Sequence, residues 1–518
     1  MKKILLYILL SAVIFSCDVL NLEQKSSISY NEAFGSYERC ELSTVGCYAY
    51  AQGSYRGFPF GSRALAMNDV RGEDVASSTY LGSSYESTFT TSTGDLSNLW
   101  SYLFKLVNQC NIVIDGVRSA AKNNIITEDE SNSFEAEARF LRALALHEAM
   151  VFYALPYNAT PDASHYGVPV VLVPCNTIEA VNEAYKNGRA TAEATYRQII
   201  ADLDFAEKCL PETRTGTAKI SRATKGAAIA LKTRIYLHTA DYGNVVNEAS
   251  KLVDVNSSSL KSKIGGYNLT EDVTGPFLSN SDNTESIFSI ENSAADNPTL
   301  DGALGQLYYG RKDIAISPVL YNAKFWDKDD LRRSMMTMID GKYFTSKYPK
   351  YVDMDDWAPI IRYAEVLLNY AEAEARLNGV TPVSLALLNE VRNRAVKDES
   401  KHYTLSSFVG KEELVNSILN ERRIELVCEG KRWYDIHRLS TDPVFAVKIS
   451  TGEAGIPVKV NTGNIVSSDY NAASGSVNAG LFTITEIPYG DRRFIFPIPQ
   501  SEINANSVLA EQQNEGWD

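Results

Sequence analysis

Apolar positions recur at three- and four-residue spacing along much of the chain, and that spacing predicts helices. The clearest case is Ile360 to Gly379, IIRYAEVLLNYAEAEARLNG. Ile361, Ala364, Leu368, Ala371 and Ala375 share one face, and Ala, Leu and Glu, all strong helix formers, fill most of the rest. Gly379 stands where a left-handed C-terminal cap is expected. The small residues Ala371, Ala373 and Ala375 mark a face for close packing of a second helix. Leu385 to Ala395 supplies a partner, and Glu412 to Leu439 reads as a third helix. This part is expected to be a run of antiparallel helices.

Upstream, the same spacing predicts helices over Leu99 to Arg118 and Asn132 to Tyr153. Pro156 and Pro169 then stop the pattern and open a loop. Further helices are expected over Thr191 to Cys209, Thr224 to His238 and Asn244 to Val253. Alternation of Ala with Leu, Ile and Tyr in these segments reads as degenerate tetratricopeptide-type helix pairs. The periodicity fades from Val255 to Asp356 and from Ser440 to Asp491, where Gly, Asn, Ser and aromatics mix. The expected fold is mostly α: a helical-pair scaffold with long irregular loops and a few short strands. Loops of such length are often functional.

The N-terminus has a different pattern. Lys2 and Lys3 precede an apolar run from Ile4 to Phe15, too short to span a bilayer as an anchor. The run ends in IFSC, with small Ser16 before Cys17. This is the form of a lipoprotein leader, in which Cys17 is lipidated and becomes the first mature residue. Each buried acyl methylene adds about 0.8 kcal/mol, so several chains on one cysteine anchor firmly. The expected organisation is a leader over 1–16, a lipid-anchored tether over 17–36, a helical region over 37–254, and a mixed region over 255–518 packed with it as one body.

Composition narrows the function. The 518 residues carry a net charge of −14, which argues against nucleic acid as a partner. Tyrosine accounts for 29 residues, and tyrosine-rich surfaces bind adaptably. Of the seven cysteines, six remain after Cys17; they form no CxxC pair, and Cys40 and Cys47 are close enough in sequence to raise a local pairing. With five scattered histidines, no zinc-type spacing arises and no cofactor is implied. Neither a GxSxG elbow, nor HExxH, nor a phosphate-cradling loop is present, and nothing selects a glycosidase-type carboxylate pair. Glu421, Arg422, Arg423, Glu425, Arg432 and Trp433, with Arg362, Glu365 and Glu372, read as a salt-bridge network between helices.

Four separated segments carry a resemblance: RYAEVLLNYAEAEARLNG, LNEVRNRA, NERRIELVCEGKRWYDIHRL and the closing FIFPIPQSEINANSVLAEQQNEGW. In order and spacing they resemble the SusD/RagB outer-membrane nutrient-binding lipoproteins of Bacteroidetes-type bacteria, over nearly the whole mature chain. The resemblance implies a non-enzymatic binding protein on the outer membrane. It would capture an oligosaccharide, or alternatively an oligopeptide, and pass it to a SusC-like TonB-dependent transporter. A surface glycosidase or a purely structural lipoprotein would be the competing readings.

Sugars offer C–H faces to aromatic rings and hydroxyls to polar side chains, so ligand candidates should combine both on loops. Three clusters do: Asn68, Asp69, Arg71 and Asp74, running on to Tyr80 and Tyr85; Tyr308, Tyr309 and Arg311; and Trp326. In the family resembled, the region before the first long helix often lines the binding face.

Overall fold

A computed structural model describes residues 30–517, apart from Ser54, Ser78 and Ser258. The leader, Cys17 and most of the expected tether lie outside the described residues. The major helices are α1 (Tyr37–Gln52), α2 (Arg63–Arg71), α3 (Gly94–Lys122), α4 (Glu128–Tyr153), α5 (Ala192–Cys209), α6 (Lys225–His238), α7 (Tyr242–Leu252), α8 (Tyr363–Asn378), α9 (Pro382–Ala395), α10 (Lys411–Glu425) and α11 (Arg432–Leu439). Short loops join successive helices, so α3 and α4, α6 and α7, and α8 and α9 pack as antiparallel pairs. Threonine hydroxyls cap several N-termini: Thr127, Thr191 and Thr224 each accept from the backbone N–H three residues on. Gly379 closes α8 with φ +79°.

Short strands run between the helices, among them β1 (Val75–Ser77), β2 (Ser286–Ile290), β3 (Ile314–Ile316), β4 (Met336–Ile339), β5 (Lys342–Thr345) and β6 (Ala358–Arg362). They pair antiparallel as β1 with β3, β2 with β6, and β4 with β5.

Three boundaries differ from the periodicity. Residues 360–362 are the end of β6 rather than the start of α8. Ile360 and Ile361 are β-branched and buried against β2, and that context favours extended backbone. The expected Glu412–Leu439 helix is two helices, because Cys428 and Gly430 turn the chain with positive φ (63° and 72°). A Cβ on Gly430 would stand 2.6 Å from Leu65 Cα, so α2 approaches the turn closely there. The body also begins before residue 37. Tyr30–Ala33 is helical, the Tyr30 hydroxyl donates to Asp115 at 2.5 Å, and Phe34 packs against the bare face of Gly116.

The salt-bridge network is present and buried. Arg362 reaches Glu429 at 2.7 Å, Glu425 at 3.0 Å and also Glu285. Arg332 and Arg394 meet the same Glu425 at 2.9 and 2.7 Å. Arg438 pairs with Glu372 at 2.6 Å, Arg422 with Asp435 at 3.1 Å, and Arg234 with Glu365 at 2.6 Å. These links tie α6, α8, α9, α10, α11 and β6 into one polar spine. Cys40 and Cys47 lie on one helix seven residues apart, about 10 Å along its axis, which is beyond disulfide reach.

Candidate functional site

The structure divides the ten ligand candidates into two groups. Seven are buried, and their polar atoms are mostly spent on the protein itself. Asn68 donates to Glu148 at 2.6 Å. Asp69 accepts from the Gly430 N–H at 3.0 Å and from the Tyr308 hydroxyl, and burial raises its carboxyl to about 7. Arg71 donates to Ser87 and to the carbonyls of Arg493 and Phe494, with its guanidinium 4.5 Å from the Trp433 ring. Asp74 is clamped by Arg423 and Arg432. The Tyr85 hydroxyl donates to Val460 at 2.7 Å. Trp326 is 0% exposed beneath the Arg333 guanidinium. The expectation that these seven present faces to a ligand is therefore corrected. In this conformation Asn68, Asp69, Arg71, Asp74, Tyr85, Tyr308 and Trp326 are framework. Asn68, Asp69 and Arg71 belong to helix α2 rather than to a loop, and packing of α2 against α11 buries them.

Tyr80, Tyr309 and Arg311 remain half-exposed. The Arg311 guanidinium lies 4.4 Å from the Tyr80 ring centroid, and Arg63 lies 4.9 Å from the same ring. The Tyr80 hydroxyl accepts from Arg63 at 2.8 Å and donates to the Asp301 carbonyl at 2.5 Å. Arg311 also pairs with the Asp301 carboxylate and, through Nε at 2.9 Å, with Asp313. Burial opposes its charge, but Asp313 and Asp301 hold the guanidinium above its ordinary value. Tyr309, two residues away, sits 5.3 Å from Tyr351.

A second loop completes this surface, and sequence reasoning missed it. Arg56 reaches Asp301 at 3.5 Å and lies 5.4 Å from the Tyr55 ring, which stacks on Tyr102 at 6.2 Å. A Cβ on Gly302 would stand 2.5 Å from the Arg56 carbonyl carbon, so the two loops interlock at a glycine. The available signal was Tyr55-Arg56-Gly57, the same mix of ring, cation and glycine that drew attention to Tyr308 to Arg311. Asp301 and Tyr351 carried no local signal.

The result is an aromatic and guanidinium shelf drawn from residues 55–56, 80, 301, 309–311 and 351. Flat rings offer stacking faces, and the braced arginines offer fixed donors. These groups suit a polyhydroxylated chain, and no nucleophile–base pair stands among them. Among the described residues, no group of three or more His, Cys, Asp or Glu could hold a metal.

Comparison with known proteins places this scaffold. Residues 321–517 match the family model described as SusD family, and residues 21–237 match the model described as starch-binding associating with outer membrane. The chain belongs to the SusD family. It is 27% identical to SusD-like protein P2 of Formosa agariphila over 67% of this chain and 72% of that protein. A SusD-like protein of Bacteroides ovatus is 24% identical over 84% and 82% of the two chains. The crystal structure of a SusD superfamily protein from Bacteroides fragilis superposes with a TM-score of 0.75, at 23% identity over 92% of this chain and 99% of the other. Surface glycan-binding protein A from Bacteroides uniformis superposes with a TM-score of 0.66, at 18% identity over 92% and 99%. The SusD fold, mostly helical with short strands, is thus shared across the described body.

Proposed function

We propose that this chain is an outer-membrane lipoprotein, anchored through Cys17, that captures an oligosaccharide on the Tyr80–Arg311 shelf. The shelf itself is the main support. Half-exposed tyrosines and arginines from distant loops converge on one surface, in a chain that matches a family model described as starch-binding and shares its fold with a protein named as glycan-binding. The role is binding without turnover. Captured glycan passes to a SusC-like TonB-dependent transporter beside which the protein is tethered. Modest affinity suffices, because tethering raises the effective concentration at the transporter.

Titration of the purified protein against a panel of oligosaccharides and oligopeptides tests this. Binding of one oligosaccharide class is expected. Binding of peptides alone would turn the cargo to peptide. Binding of neither would overturn the capture role and leave a structural lipoprotein. Co-purification of a TonB-dependent barrel from native membranes is the expected result for the partner.

A further inference from the structure

A cavity of about 690 Å³ lies far along the sequence from the Tyr80 loop, between residues 489–495 and 514–516. Ligand sites commonly have volumes of ~300–1,000 Å³. We infer that it is a second saccharide site, lined by Tyr489, Arg492, Arg493 and Glu515. The ligand class rests on the proposed glycan reading; the site itself rests on the bracing of its walls and the polar groups they leave free.

Those walls are held by buried contacts. Asn514 spends its whole amide on the protein, accepting from Arg189 and donating to the carbonyls of Tyr153 and Phe496. Buried Arg71 donates to the Arg493 and Phe494 carbonyls and fixes that turn from beneath. The Trp517 indole donates to the Arg492 carbonyl at 2.9 Å, and the Arg492 guanidinium lies 4.5 Å from the Trp517 ring. A site whose supporting contacts are made before binding loses little entropy when it is filled.

Inside these walls, polar capacity is left over. Arg492 spends Nη1 on the Gly516 carbonyl and keeps its other donors. Arg493 spends Nε and Nη2 on Asp491 and keeps Nη1. The Tyr489 ring is half-exposed against Phe494, at 5.1 Å between centroids. Among the described residues, neither its hydroxyl nor the exposed Glu515 carboxylate meets a protein partner. Two guanidinium groups share the wall with two carboxylates, Asp491 and Glu515, so it is electrically balanced. An anionic ligand would meet the carboxylates, and a cationic one the arginines. Vicinal hydroxyls, each both donor and acceptor, match alternating donors and acceptors beside a ring face. A neutral saccharide is the chemistry that fits.

Trp517 gives a local readout, because the other four tryptophans are buried. The experiment titrates maltohexaose, xylohexaose and mannohexaose separately into the full protein. Calorimetric stoichiometry and iodide quenching of tryptophan fluorescence are followed together. The expected result is two sites per chain for one oligosaccharide, with Trp517 protected on binding. Arg492→Ala with Tyr489→Phe should weaken the Trp517-reporting site at least tenfold. Glu515→Gln, which touches no protein contact, should weaken it severalfold with an unchanged melting temperature. Tyr309→Ala with Arg311→Ala should leave the Trp517 response intact. If none of the three sugars alters Trp517 quenching, or if Arg492→Ala with Tyr489→Phe and Glu515→Gln both bind as wild type, the second site is refuted. If Tyr309→Ala with Arg311→Ala keeps both the Trp517 response and the full wild-type calorimetric affinity and stoichiometry, the shelf is refuted and this site is upheld.

Discussion

The Arg362 guanidinium and the Glu429 carboxylate meet at 2.7 Å with neither side chain more than 2% exposed. Arg362 ends β6 and Glu429 lies in the turn between α10 and α11, so the pair fastens the strand to the turn. Burial works against both charges, yet Arg362 and Lys347 hold Glu429 below its ordinary range. Glu285 and Glu425 share the same guanidinium.

Removing Arg362 therefore leaves three buried carboxylates short of a cation. Breaking a buried pair from one side typically costs about 3–5 kcal/mol. Arg362→Ala should lose about that much in urea unfolding, with an unchanged unfolding slope if the fold survives. A loss under about 1 kcal/mol, the worth of an ordinary exposed pair, would mean that the spine is not a stabilising unit.

Asp356 gives a pH dependence of definite sign. Burial raises its carboxyl from 3.8 to about 7. Between those values the folded chain binds a proton that the unfolded chain has released. Its contribution is thus fully present below pH 3.8 and lost as pH rises to about 7. Asp69 behaves alike. His437 opposes them: burial lowers it from 6.5 to about 4, so its contribution is lost as pH falls through that window. Asp356→Asn should remove part of the stability difference between pH 5 and pH 8, on the order of 1–3 kcal/mol. An identical pH profile in variant and wild type, by thermal melts, would contradict the assignment.

The interlocking of the two shelf loops makes Gly302 a sensitive position. A methyl there would collide with the Arg56 backbone, at 2.5 Å from its carbonyl carbon. Gly302→Ala should push residues 299–311 away from residues 55–57 and break the Arg56–Asp301 contact. Oligosaccharide affinity should fall at least tenfold, with the melting temperature reduced by a few degrees. Wild-type affinity in this variant would show that the loops bind independently.

Anchoring has its own test. Cys17→Ser should move the protein from the outer-membrane fraction to the soluble fraction, and intact-mass measurement should lose the acyl chains. A variant that remains in the membrane would place the anchor elsewhere.

The helices were legible because their signals are local. Ala364, Leu368, Ala371 and Ala375 repeat within one element, and Thr191, Thr224 and Gly379 mark ends by their own chemistry. The charged spine was legible too, since Glu421, Arg422 and Glu425 crowd a segment already helical. The start of α8 was not, because Ile360 and Ile361 fit a helix face as well as a strand, and only β2 decides between them. Most of the site failed for the same reason. Trp326 and Tyr308 have the composition of ligand residues, but tertiary packing buries them. Asp301 became part of the shelf only when its loop met residues 55–57. Whether a tyrosine faces water is set by contacts far away in sequence.

Glycan capture on the shelf stands or falls on calorimetric titration of the preferred oligosaccharide into wild type and into the Tyr309→Ala, Arg311→Ala variant. Neither residue is buried, so the variant should melt within a few degrees of wild type. Affinity at the shelf should fall at least tenfold. Undiminished affinity at every site in a folded variant would contradict the assignment of the shelf as the glycan-capturing surface.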